Sequence, residues 1–225
     1  MPSPVHIICV VNKFEVCNSV IRDYPYMSGL PIDIYDNTKE NIGVSKRYND
    51  FINGFSHDAW LIFCHQDFGF LEDAYDKIKD LDKNFIYGPI GAVRRWGFFI
   101  RNSKIRLKKK ILLGQINQAN NGHRFYKNGI YIKKPRLVET IDCCCIIVHS
   151  SLIKRYNLRF DEHFEFHLYA EDLSLGALYK HGIKTKAVQI ECRHLSLGNA
   201  SRDFYESLEY LKSKYKGREF VGTCF

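Results

Sequence analysis

The sequence predicts an α/β protein with a mostly parallel central sheet and helices on both faces. Three observations predict it. Strand-like apolar runs alternate with helical stretches through the first ninety residues, the intervals between them are short, and polar residues gather where the runs end. Parallel neighbours require crossover connections, so alternation at this spacing fits a parallel sheet. In such sheets ligands bind beyond the carboxyl ends of the strands. Asn12, Asp36 and Asp67 fall at those ends.

The elements follow in order. "VHIICVV" is a strand, a helical stretch follows, and "PIDIYDN" is a second, shorter strand. In "NIGVSKRYNDFINGFS", Val44, Tyr48, Phe51, Ile52 and Phe55 recur at helical spacing. "WLIFC" is a third strand, Leu71, Ala74, Tyr75, Ile78 and Leu81 mark another helix, and "FIYGPIGA" reads as a fourth strand. Residues 94–136 are rich in Gly, Asn and Lys with weak periodicity, which reads as a loop-rich insertion. "VETIDCCCIIVHSSLI" resumes as a strand leading into a short helix. A further helix places Leu175, Leu178 and Tyr179 on one face and stops at Gly182. "IKTKAVQIECRH" returns as a strand, and the last helix carries Phe204, Leu208, Leu211 and Tyr215 behind a Ser201 cap. A single domain, 1–225, is expected, with halves 1–93 and 137–225 around the insertion.

With 225 residues, 45% hydrophobic and 26% charged, the composition is that of an ordinary globular protein. No apolar run approaches the roughly 20 residues that span a bilayer, and no basic region followed by a long apolar stretch opens the chain. A cytoplasmic location, with peripheral contact at the membrane face, is the expectation. Of the eight cysteines, three are adjacent (Cys143, Cys144, Cys145), and Cys9 and Cys64 sit in buried strands; reduced thiols fit this better than disulfides. No CxxC pair occurs, which argues against a structural zinc site. The net charge of +8 is uneven: residues 94–136 hold thirteen Lys and Arg and no acid. That block is either a solvated surface or a place for an anionic partner, with Arg94, Arg95, Lys108, Lys109 and Lys110 at its start.

Four clusters carry the candidate chemistry. Asp36, Asn37 and Thr38, followed by Asn41, Gly43, Lys46, Arg47 and Asn49, combine an acid able to accept hydrogen bonds from a base or ribose with a glycine-led helix start suited to phosphate; the same residues also make ordinary turns. His65, Gln66 and Asp67 close the third strand, where a carboxylate either holds Mg²⁺ or Mn²⁺ or caps the next helix. Glu165, His167, Glu171 and Asp172 could supply a general base or favour a helix start. His194 closes a strand before Ser196 and Gly198 in "RHLSLG", a metal-side ligand or a structural histidine.

Together and in this order, "ICVVN", "DNTKENIGVSKRYNDFI", "WLIFCHQDF", "VETIDCCCIIVHSSLI", "FDEHFEFHLYAEDLSLGALYKHGIKT" and "CRHLSLG" resemble the family 2 glycosyltransferases of GT-A (Rossmann-like) fold, in particular the branch similar to the streptomycin-biosynthesis StrF domain. The resemblance covers nearly everything outside 94–136. It implies transfer of a sugar from a nucleotide-diphosphate-sugar donor to a hydroxyl of a glycan, lipid-linked or small-molecule acceptor, with inversion and with Mn²⁺ or Mg²⁺. By it, Asn12 and Asp36 flank the base and ribose, and Asn37, Asn41, Gly43, Lys46, Asn49, His65 and Gln66 belong to the donor side. Asp67 is the metal-binding last acid of D-x-D, with His194 helping to hold metal or diphosphate. Asp172 is the base with Glu171 as its rival, and the basic block shapes the acceptor side. The departure is His65, which stands where the first acid of D-x-D is usual.

Two other classes compete. A non-catalytic module binding a nucleotide-sugar or phosphoglycan fits the missing acid, although retention of Glu171 and Asp172 argues against it. A nucleic-acid-binding protein would use the basic block with Trp96, Phe98, Phe99, Phe125 and Tyr126, but no recognised nucleic-acid motif accompanies them, so nucleic acid is the less favoured partner.

Overall fold

The structure, a computed structural model, describes residues 3–22, 25–96, 108–120, 124–195 and 201–225. Among the described residues the first sheet has seven strands. Next to its edge strand lies β1 (Val5–Val11), apolar apart from His6 and largely buried on both faces. It pairs in parallel with β2 (Ile32–Asp36) and β3 (Trp60–His65), in a register that sets Cys9 beside both Ile34 and Cys64. The crossovers are α1 (Phe14–Cys17), which continues through a π turn over Asn18–Arg22 to α2 (Pro25–Ser28), and then α3 (Val44–Gly54). This is the alternation expected from the sequence. β11 (Cys145–His149) runs antiparallel between β3 and β5 (Ile86–Gly88), so the sheet as a whole is mixed. β12 (Thr185–Ala187) is parallel to β5, and β9 (Arg136–Val138) is an antiparallel edge.

Two apolar cores sandwich this sheet. On one side Tyr48, Phe51 and Ile52 of α3 meet Leu152 and Ile153 of α5 (Ser150–Tyr156), Leu173 of α6 (Tyr169–His181) and Leu211 of α7 (Arg202–Lys214). On the other, Cys17, Met27 and Ile78, the last from α4 (Ala74–Ile78), pack with Phe68, Ile116 and Cys192 of a second sheet. α6 is buried on most of its circumference, so its sequence carries no clean stripe. Leu175 is buried, but Tyr179, expected on the same buried face, is 36% exposed. Among the described residues no helix is long and apolar enough to cross a membrane.

The second sheet corrects the reading of 94–136 as loop-rich. β6 (Gly91–Trp96), β7 (Lys108–Asn120) and β8 (Arg124–Ile130) form antiparallel pairs, and β10 (Thr140–Ile141), β13 (Cys192–His194) and β4 (Phe68–Phe70) complete the order β10-β6-β7-β13-β4, with β8 on β7. The strands were hidden by a bulge. Pairing of β7 with β8 shifts register between Leu113 and Gly114, so the period-two pattern of "KILLGQINQA" changes phase midway. Gly114 has φ +82°, and a Cβ there would lie 2.0 Å from the carbonyl oxygen of Pro89. Only glycine fits such a position without moving the backbone. Residues 97–107, with Phe98 and Phe99, and residues 196–200, with Ser196 and Gly198, lie outside the described residues.

Candidate metal and donor site

The two sheets join at one corner. β3 ends at His65, Gln66 and Asp67 make the turn, and β4 begins at Phe68 in the second sheet. β13 pairs with β4 so that His194 stands opposite Phe68, and Leu195 N donates to the Asp67 carbonyl at 3.0 Å. Strand pairing therefore brings together two residues far apart in sequence. His65 Nδ1, Asp67 Oδ1 and His194 Nε2 lie 3.3, 3.4 and 3.9 Å from one another, pair by pair.

The outer nitrogens explain why the inner ones converge. Tyr169 is fully buried, and its hydroxyl donates to the Cys143 carbonyl at 3.0 Å, so its oxygen is left to accept from His65 Nε2 at 2.7 Å. His65 thus carries its proton on Nε2 and presents the Nδ1 lone pair inward. On β7, Gln118 is in register with His194, and its Oε1 lies 3.3 Å from His194 Nδ1, fixing that ring the same way. An imidazole whose second nitrogen is tied to an acceptor is the usual preparation of a metal ligand. Three atoms sharing one ion at about 2.0–2.2 Å must lie within roughly 4.4 Å of one another, and these do. The residues fit a divalent cation.

The electrostatics keep the carboxylate ionised. Burial works against the Asp67 carboxylate, but the hydrogen bond and charge of His194, with His65 behind it, outweigh this and hold its pKa at about 2. Burial likewise lowers His194, but Asp67 prevails and raises it. Burial lowers His65 and keeps it neutral. A second group, Asp142, Cys144 and His194, shares one histidine with the first. Burial raises the Cys144 thiol well above its ordinary value.

Behind His194 lies a pair of acids. Thr223 Oγ1 is 2.7 Å from Asp142 Oδ2 and 3.1 Å from Glu171 Oε1. One hydroxyl has one proton, so it donates to one carboxyl group at a time. Burial, then the charge of Asp142, raises Glu171 to about 7. Asp142 is held low: burial opposes ionisation, but His194, Thr223 and the Cys144 amide overcome it. Thr223 Oγ1 thus stands between the two acids as a donor within reach of either, and Cys143 Sγ lies 3.4 Å from the other oxygen of Glu171. Asp172 points elsewhere. It pairs with Lys214 Nζ at 2.7 Å, accepts from Tyr215 at 2.9 Å, and lines a separate cleft with Asp161 and Lys180. Burial raises its pKa, with Lys214 opposing.

A cleft of about 220 Å³ opens at the triad, lined by Asn12, Asn37, His65, Gln66 and Asp67 with Phe166. Five residues expected on the donor or metal side thus share one space. Gln66 braces it: its Oε1 accepts from the amides of Asn12 and Lys13 at 3.0 and 2.9 Å, and its Nε2 donates to Asn12 Oδ1. Asn37 accepts from Arg47 and donates to the Ile42 carbonyl. Asp36 caps Thr38 on the exposed rim, and Asn41 is exposed. The other residues expected there make different contacts. Gly43 packs on Glu165, Lys46 pairs with Asp50, and Asn49 spends its amide on Phe160 and Glu162. Arg94 pairs with Glu139 and Glu219, and Lys110 donates to the carbonyls of Thr223 and Phe225. The side chains of Arg95, Lys108 and Lys109 lie outside the described residues. Tyr169, Gln118, Asp142 and Thr223 were not foreseen: each acts through a partner remote in sequence, and nothing local in the chain marks them.

No family model matches this sequence, and no curated protein matches it. Solved structures do. The chain is similar to GalNAc-T7, solved with UDP, GalNAc and Mn²⁺: TM-score 0.55, 8% identity, covering 89% of this chain and 45% of that one. It is similar to TarS of S. aureus at TM-score 0.52 and 12% identity, covering 97% of this chain and 40% of that one. The chain spans less than half the length of either. The fold is that of the GT-A-type glycosyltransferases.

Proposed function

We propose that this protein is a glycosyltransferase that takes a sugar from a nucleotide-diphosphate-sugar and delivers it to an acceptor hydroxyl, with inversion. The observation that carries the reading is the convergence of His65 Nδ1, Asp67 Oδ1 and His194 Nε2 at the mouth of the cleft that holds Asn12 and Asn37. His65, Asp67 and His194 would hold Mn²⁺ or Mg²⁺, which when bound neutralises charge on the departing diphosphate. The two histidines, with outer nitrogens fixed by Tyr169 and Gln118, keep the ligand atoms in place before the donor arrives. Asn12, braced by Gln66, borders the space for the base.

For the base we favour Glu171 over Asp172. A base near pKa 7 accepts a proton at neutral pH and holds it in the reaction, and Glu171, at about 7, lies on the Asp142 side of the corner. Asp172 is already paired with Lys214, which suits a part in positioning α6 against α7. Thr223 must release Glu171 before an acceptor hydroxyl reaches it. That same closure favours the second reading, a non-catalytic nucleotide-sugar-binding module.

The test is calorimetry of UDP with and without Mn²⁺, followed by a panel of nucleotide-sugars. Asp67→Ala should abolish the metal-dependent part of binding while the fold persists; unchanged UDP affinity would remove the metal reading. Turnover lost in Glu171→Gln with UDP binding intact supports catalysis, whereas no turnover of any donor by the native protein supports the binding module.

A further inference from the structure

A second cleft, of about 380 Å³, is lined in part by the segment 219–225, whose Thr223 contacts the acids. Four cations line it, from three parts of the chain: Arg94 of β6, Lys110 of β7, and Lys212 and Arg218 in and after α7. Among the described residues that line it, Glu219 alone is acidic. Arg94 and Lys110 stand directly opposite each other in the β6–β7 ladder, an arrangement of like charges that costs stability. Glu139 and Glu219 pair with Arg94, and the Lys110 ammonium donates to the main-chain oxygens of Thr223 and Phe225. Among the described residues, Lys212 and Arg218 have no carboxylate partner. Arg218 is held instead over the Tyr179 ring, 4.6 Å from its centroid. Phe220 and Val221 supply an apolar wall.

We propose that this cleft binds a phosphoryl group, and that it does so on the acceptor. A phosphate offers several acceptor oxygens and up to two negative charges, which match ammonium and guanidinium donors converging from different elements. The apolar wall suits the carbon skeleton that carries the phosphate. Thr223 couples the cleft to the acids. Its carbonyl accepts from Lys110 while its hydroxyl bridges Asp142 and Glu171, so an anion drawing Lys110 toward itself loosens the residue that closes Glu171. The binding site stands by itself; the role as acceptor subsite rests on the transferase reading above.

The experiment uses inorganic pyrophosphate without added metal, titrated calorimetrically into the full chain, the Lys212→Gln/Arg218→Gln double variant and Asp67→Ala. Both replaced cations are exposed, and thermal melts confirm that the double variant is folded. Pyrophosphate affinity should fall at least about tenfold in the double variant and stay unchanged in Asp67→Ala. UDP with Mn²⁺ should show the converse, so failure of the cleft and failure of the donor site are read separately. Sedimentation with phosphatidylglycerol vesicles against neutral phosphatidylcholine vesicles gives the source. Capture that the double variant loses marks a lipid-borne phosphate, and pyrophosphate binding without capture marks a soluble phosphorylated acceptor. Equal pyrophosphate affinity in the native and double-variant proteins overturns the proposal.

Discussion

Tyr169 shows how one hydroxyl organises a site it does not enter. By donating to Cys143 and accepting from His65 it sets the histidine's tautomer. Tyr169→Phe should weaken Mn²⁺ binding by about 10–100-fold, the usual effect of removing an outer partner, with only a small change in melting temperature. Calorimetry with Mn²⁺ alone checks it. Glu171 makes a prediction about pH. Its pKa is about 7 in the fold against 4.5 unfolded, so the protonated form is favoured by folding. That stability is fully present below about 4.5 and is lost as pH rises through 7, at a cost on the order of 3 kcal/mol. Glu171→Gln should therefore match the native protein near pH 4 and exceed it in urea denaturation at pH 8. Asp67 and Glu171 were legible as single residues at a strand end and a helix start. Their partners were not, because Thr223 and Gln118 arrive from elements that the local sequence does not connect to them.

The elements divide by how they are buried. β1 and β3 are largely buried on both faces, so near-continuous apolar runs announce them, and α3 has one wet side, so its apolar spacing does. α6 resists such reading because Glu171, Asp172 and Ser174 are buried with its apolar residues. β7 resists it because the bulge resets its alternation. The bulge also makes a test. Gly114→Ala should cost about 2 kcal/mol or more, from the left-handed backbone and from the clash with Pro89. Because β7 carries Gln118 to His194, the same variant should lose Mn²⁺ affinity, whereas a purely local defect would change stability alone.

At the scale of the molecule, the sequence placed Asp67 and His194 at strand ends, and the family resemblance put them in one site, but the route between them is the second sheet, which the sequence did not reveal. The acid-free block 94–136 is likewise not isolated: its Arg94 draws on Glu139 and Glu219, both outside it. Raised salt should therefore weaken the packing of 219–225 against β6 and β7 before it affects the first sheet. Hydrogen exchange at the amides of 219–225, compared with those of β1, measures this; equal protection at low and high salt would contradict it.

The order of strands in the first sheet also dictates a timetable. β2, β1 and β3 all come from the first 65 residues and can associate as soon as those leave the ribosome. β5 cannot: one of its neighbours is β11 (Cys145–His149) and the other is β12 (Thr185–Ala187), about a hundred residues later. β9 waits for β12 too, which among the described residues is its one partner in that sheet. β3 thus keeps an open edge until β11 is made, roughly eighty residues later, an interval in which unpaired edges invite wrong partners. Pulse-labelling during refolding should find β1 and β3 amides protected first and those of β5 and β9 last, and nascent chains halted before residue 185 should be the ones that chaperones hold.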